Sequence, residues 1–209
     1  IVYFHGGAYI NELTGFHWRY LVTLAKKTGL KIYVPVYPKL PNNNYVECYK
    51  QLDYFYDKTL SKYSPLIFMG DSAGGGLALA FTQKLNVDGK RGPIHNILFS
   101  PWLNMQGERD GYSELEKVDP MVGVNGARIL AKLWYSPGDH TNYLVSPIFG
   151  DFTNICESTV IVGTRELILL DCRQLKDTAK QIDYKLHYYE FENMHHVFPL
   201  FPIPEAEKV

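Results

Sequence analysis

The chemistry legible in this sequence centres on one serine framed by glycines, with two adjacent histidines and several acids downstream of it. Residues Leu66-Ile67-Phe68-Met69-Gly70-Asp71-Ser72-Ala73-Gly74-Gly75-Gly76 run from an apolar strand pattern through G-x-S-x-G into a helical pattern. That is the strand, turn, helix context a nucleophile elbow requires. The turn strains its central residue, so the flanking Gly70 and Gly74 must lack side chains. Ser72 then stands at a helix N-terminus, where free N–H groups and the positive end of the dipole favour developing negative charge. A phosphate-cradling turn is the competing reading. It would need Lys-Ser/Thr after the last glycine, or G-x-G-x-x-G, and the segment has neither.

A hydroxyl nucleophile needs a base, and the base needs an orienting acid. Where an elbow of this kind occurs, the chain order is serine, acid, histidine, with the partners in loops after later strands. The base candidates are His195 and His196 in Glu192-Asn193-Met194-His195-His196-Val197-Phe198-Pro199, and spacing alone does not choose between them. The acid candidate is Glu166, three residues past the apolar run Thr159-Val160-Ile161-Val162-Gly163. Asp171 competes, but it lies deeper in the next segment, where an aspartate most often caps a helix.

Acyl transfer also needs donors aimed at the tetrahedral oxyanion. The first apolar run ends in His5-Gly6-Gly7-Ala8, where small residues let bare backbone N–H groups face a substrate. The amides of Gly7 and Ala8 are expected to join that of Ala73.

The elements that must position these groups alternate. Strand patterns cover residues 1–4, 31–36, 66–70, 94–100, 159–163 and 184–191; helical patterns cover 15–28, 45–62, 73–85, 125–135 and 171–181. This alternation predicts an α/β class with a mostly parallel sheet flanked by helices. Residues 101–158 break the alternation, with no convincing strand and one clear helix, and so read as a cap or lid insertion. The whole chain, 1–209, is read as one catalytic domain.

Composition narrows the partners. Hydrophobic residues make up 46% of the 209, and 21 Lys+Arg balance 22 Asp+Glu, leaving no footprint for nucleic acid or an anionic membrane. No run approaches the ~18 apolar residues of a membrane helix. The cysteines Cys48, Cys156 and Cys172 are odd in number and far apart, which favours reduced thiols in a cytoplasmic protein over a metal or redox site. The chain opens without Met, inside what reads as a buried strand, so a preceding segment is expected.

With these motifs in hand, the chain resembles the hormone-sensitive-lipase-like branch of the α/β-hydrolases, its bacterial carboxylesterases and lipases in particular. The resemblance rests on His5-Gly6-Gly7-Ala8-Tyr9, Tyr37-Pro38-Lys39-Leu40-Pro41, Gly70-Asp71-Ser72-Ala73-Gly74-Gly75, Ser100-Pro101-Trp102-Leu103, Gly163-Thr164-Arg165-Glu166 and Met194-His195-His196-Val197-Phe198-Pro199. It implies an α/β-hydrolase fold and a catalytic triad of Ser72, Glu166 and His196, the last chosen over His195 because the family's base follows M-x-H-x-F. It further implies oxyanion donors Gly7, Ala8 and Ala73, and a structural role for His5. The sequence departs from the family with Ala8 for a third glycine, Glu166 where aspartate is commoner, and no counterpart of the family's N-terminal cap segment. The expected activity is hydrolysis of short- to medium-chain acyl esters through an acyl-enzyme, with no cofactor and no metal. The alternatives are an acyltransferase, thioesterase or amidase with the same triad, or a ligand-binding protein on a hydrolase scaffold. A small-molecule ester is the expected partner, and a sheet-edge strand or terminal helix would suit a homodimer.

Overall fold

The computed structural model describes residues 1–106 and 109–209. Strands β1 (Val2–Phe4), β2 (Ile67–Asp71), β3 (His95–Phe99), β4 (Ser158–Arg165) and β5 (Leu186–His195) form one sheet in that order, every adjacent pair parallel. Between them lie helices α1 (Gly15–Thr28), α2 (Tyr45–Lys58), α3 (Ala73–Val87), α4 (Tyr112–Glu116), α5 (Val124–Trp134) and α6 (Leu169–Gln181). Because all strands run the same way, every strand delivers its following loop to one edge of the sheet. Ser72, Glu166 and His196 all follow strands, so they share that edge.

Helix limits follow from local chemistry. Asn44 caps α2, its side chain accepting from the Val46 amide at 2.9 Å while Glu47 reaches back to the Asn44 amide at 3.0 Å; this reciprocal box satisfies donors the helix itself cannot. At the other end of α1, Gly29 takes the left-handed conformation (φ 68°) that ends many helices.

The strand expected over residues 31–36 contracts to a single bridge between Val2 and Tyr33. Tyr33 donates to the Ile1 carbonyl at 2.9 Å and accepts from the Tyr3 amide at 2.8 Å. Pro35 and Pro38 follow, and proline has no N–H to extend a ladder. The bridge lies outside β1, so the chain steps outward through α1 and returns through α2 to β2. Such a reversal opens a crevice beyond the carboxyl ends of the strands, where open parallel sheets bind ligands.

Alternating strand residues feed two cores. Val2, Phe4, Phe68, Leu98, Val160 and Val162 pack with residues of α2, α3 and α6. Tyr3, Met69, Phe99 and Ile161 face the other way, with Leu21 of α1 and Val197, Phe198 and Leu200 beyond β5.

Within residues 101–158, the described residues form α4, α5 and a 3₁₀ turn, Pro147–Phe149, ahead of β4. Two carboxylates tie the start of this insertion to the segment after β4. Asp119 accepts from the Leu167 amide at 2.7 Å. Asp171 accepts from the amides of Leu103 and Asn104 at 3.2 and 3.1 Å, from Arg109 at 2.5 Å and from Tyr112 at 3.2 Å. The helix-cap reading of Asp171 is therefore corrected: Ile168 holds the cap position, and Asp171 is the third residue of α6, in its first turn, with its carboxylate fully buried. Burial pushes that carboxyl up to about 6, against the pull of Arg109 and the two amides.

Candidate active site

Ser72 occupies a strained turn between β2 and α3, with φ 52° and ψ −124°, a region that costs a non-glycine residue roughly 1–3 kcal/mol. The turn is held from both sides: the Ser72 amide donates to the Phe99 carbonyl at 2.9 Å, and the Ser72 carbonyl accepts from the Trp102 amide at 2.9 Å. A side chain at Gly74 would overlap the carbonyls of Phe4 and His5. That glycine is required by the close approach of α3 to the end of β1.

The two partners expected from the sequence converge on Ser72. His196 lies immediately past β5, buried, with Nε2 2.9 Å from Ser72 Oγ and Nδ1 2.7 Å from Glu166 Oε2. Oε1 of Glu166 accepts from the Gly163 amide at 2.6 Å and the Ser100 hydroxyl at 2.8 Å. Since Glu166 is occupied by donors, His196 carries its proton on Nδ1 and leaves Nε2 free to accept from Ser72. Burial pulls the imidazole down, but the hydrogen bond and charge of Glu166 outweigh it and hold His196 above the usual histidine value. His195 is turned elsewhere: its Nδ1 donates to the His196 carbonyl at 2.9 Å, and its ring lies edge-on to Phe201 at 4.7 Å.

The loop after β1 sits beside the elbow. Gly7 has φ 114°, and Ala8 and Tyr9 have φ 53° and 60°. Among the described residues no acceptor pairs with the amides of Gly7 or Ala8. The loop is fixed through its neighbours. Asp71, buried beside Ser72, accepts from the Gly6 amide at 2.9 Å, from Tyr3 at 2.7 Å and from His17 Nε2 at 3.3 Å. Burial would raise the Asp71 carboxyl, but these donors together hold it below the usual carboxylate range. Tyr9 donates to the Ala73 carbonyl at 2.8 Å and stacks on Trp134 of α5 at 4.0 Å. His5, fully buried, donates from Nδ1 to the Gly6 carbonyl at 2.7 Å and stacks on Tyr37 at 4.7 Å. Burial lowers its pKa, so the ring stays neutral and structural.

A cleft of about 180 Å³ is lined by Ser72 together with Ala8, Trp102, Val122, Ala127, Leu130 and Ile168. Most of that lining comes from residues 101–158. The arrangement holds the parts of acyl transfer: a hydroxyl on an acceptor nitrogen, an anionic orienter, unpaired amides next to the hydroxyl, and a largely apolar slot.

Three contributors carry no local sign of their role. Tyr9 and Ser100 were visible as parts of short motifs, with nothing to indicate what their hydroxyls would touch. Asp71 was visible as the residue before the nucleophile; its bonds to β1 and α1 depend on the fold.

Comparison with known proteins agrees with this fold. A family profile described as alpha/beta hydrolase fold matches residues 1–200. An esterase of Acinetobacter venetianus is 28% identical over 100% of this chain and 71% of its own length. An acetyl-hydrolase of Streptomyces hygroscopicus is 25% identical, again over 100% of this chain and 71% of its own. The crystal structure of an esterase from the bacterial hormone-sensitive lipase family superposes with TM-score 0.92 at 26% identity, covering 99% of this chain and 71% of that one. That of a hormone-sensitive lipase from a metagenome library gives TM-score 0.92 and 26% identity over 99% and 73%. The chain belongs to the α/β hydrolase family and, within it, to the hormone-sensitive-lipase-like branch.

Proposed function

We propose that this ester-hydrolysing enzyme works through Ser72 as nucleophile, His196 as general base and then acid, and Glu166 as the group that orients and charges the imidazole. Ser72 attacks the ester carbonyl while its proton passes to His196 Nε2. The tetrahedral oxyanion is held by the amides of Gly7, Ala8 and Ala73. His196 returns the proton to the departing alcohol, and water repeats the cycle on the acyl-enzyme.

The observation that carries this reading is the continuous bonded line from Ser72 Oγ through His196 to Glu166, at 2.9 and 2.7 Å. A pure binding protein on the same scaffold would have no need of an activated hydroxyl in a strained turn. The size of the cleft supports the substrate class: 180 Å³ lined mostly by residues 101–158 suits short to medium acyl chains.

A fluorophosphonate probe tests the mechanism. It is expected to label Ser72, located by peptide mass spectrometry, with loss of p-nitrophenyl butyrate hydrolysis in step with labelling; labelling elsewhere, or none, would overturn it. Profiling from p-nitrophenyl acetate to dodecanoate is expected to peak at or below octanoate. Acyl-thioesters and peptide p-nitroanilides in the same assay separate esterase from thioesterase and amidase action, and faster turnover of either would displace the ester reading.

A further inference from the structure

Ser100 follows β3 as Ser72 follows β2, and the preceding residues of the two strands, Asp71 and Phe99, are register partners. The two serines therefore stand side by side at the carboxyl edge. Both have positive φ, 45° at Ser100, and Ser100 is fully buried. A non-glycine residue in that region points to a local demand strong enough to offset the strain. Its amide is spent in the sheet, on the Ile161 carbonyl at 2.8 Å. The demand is on its side chain.

The Ser100 hydroxyl makes two bonds to two different arms of the site. It accepts from the Val197 amide, the residue after His196, at 3.1 Å, and stands 2.8 Å from Glu166 Oε1. An amide can only donate, so the hydroxyl proton is free to point at Glu166. Glu166 then has donors on both oxygens, Gly163 and Ser100 on Oε1 and His196 on Oε2. We propose that Ser100 is a positioning residue: it fixes the rotation of Glu166 and, by the same hydroxyl, the backbone that carries His196. The proposal rests on the triad reading and adds to it a fourth side chain that never touches substrate.

Ser100→Ala removes the hydroxyl and keeps the strain; Ser100→Gly removes both. Rates are expressed per active site, counted by fluorophosphonate titration, so that a misfolded fraction does not enter. Both variants are expected to lose about 10- to 100-fold in kcat, the scale of a misplaced catalytic group, with KM for p-nitrophenyl butyrate within about twofold. The acid limb of the pH–rate profile is expected to move to lower pH, because a carboxylate free to rotate supports the imidazolium less; Asp119 and Asp71, which also act on His196, are unchanged. A residue that merely packs would lower the titratable fraction and leave kcat per site and the acid limb where they were, and that result would overturn the proposal. Ser100→Gly keeps it falsifiable if the alanine variant fails to fold, since glycine relieves the backbone. An active Ser72→Ala variant, by contrast, would overturn the triad reading itself, whatever Ser100 does.

Discussion

The two ends of the parallel sheet are built differently. At the carboxyl edge, Ala8, Tyr9, Ser72, Ser100, Asn193 and Val197 all have positive φ, and most are residue types for which that conformation is unfavourable. At the amino edge the positive-φ residues other than glycine are Asn154, before β4, and Asp183, before β5, types that tolerate it. Charge is distributed in the same sense. The carboxyl edge buries Asp71, Glu166 and His196 in fully donated networks. The amino edge carries Glu157 with Lys185, His95 and His187 around it, all partly open to solvent. Connecting parallel strands does not require strain. Delivering several side chains and bare amides to one point does, and the strained backbone lies where the buried hydrogen bonds can hold it.

The largest effect expected is at Ser72. Ser72→Ala should reduce p-nitrophenyl butyrate hydrolysis by at least about 10⁴-fold, and Glu166→Gln by about 10³- to 10⁴-fold because the amide misorients His196. Activity above a few per cent in Ser72→Ala would break the comparison at its centre. Substitution of His187 by Ala, at the amino edge, should leave kcat/KM within twofold. Gly74→Ala tests the packing under the elbow: its methyl has no space between the Phe4 and His5 carbonyls, and a loss of about 3 kcal/mol or more in urea unfolding is expected, on the upper side of overpacked sites.

Two buried carboxylates should respond to pH with opposite sign. Asp71 is held below its ordinary pKa, so its contribution is present above the unfolded value near 4 and is lost as pH falls through the lower folded value. Asp71→Asn leaves at least one of three donors facing an NH₂ group, which costs about 1–3 kcal/mol near pH 7; the difference from wild type should fade in acid. Asp171 is raised to about 6, so its contribution is present below pH 4 and is lost between pH 4 and 6, by about 3 kcal/mol. Removing its charge in Asp171→Asn should flatten that part of the curve. Parallel slopes for the two variants would show that the network around Asp71 does not keep it ionised.

Much of this division was legible in the sequence, for identifiable reasons. The elbow and the loop after β1 announce themselves because their glycines are dictated by backbone contact, which leaves a fixed local pattern. Glu166 and His196 were placed by chain order and by family resemblance, since no local rule separates His196 from His195. Asp171 was misread because a helix-start aspartate looks the same whether it caps its own helix or captures a neighbouring loop, and its partners Leu103, Asn104, Arg109 and Tyr112 are far off in the chain. Over residues 31–36 the β-branched residues suggest a ladder, but Pro35 and Pro38 cut it short to a single bridge. Ser100 was silent for the most general reason: a hydroxyl that joins two loops after β4 and β5 has no signature until the sheet has brought them together.

The smallest expected effect is the one that separates strain for function from strain of any kind. Asn154→Gly and Asp183→Gly remove side chains from left-handed positions that Asn and Asp already occupy at little cost, so each should change stability by no more than about 0.5 kcal/mol and leave kcat/KM unaltered. At the carboxyl edge Val197 takes φ 49° with a branched, buried side chain. Glycine there would relieve about 1–3 kcal/mol of strain while giving up about 1.5–3 kcal/mol of apolar burial. Stability would thus stay nearly level while the backbone beside His196 is loosened, and kcat should fall although the fold does not weaken. Equal behaviour of the three glycine variants in both stability and rate would mean that the positive-φ residues at the two edges differ only in residue type, and that the strained edge is not holding the site.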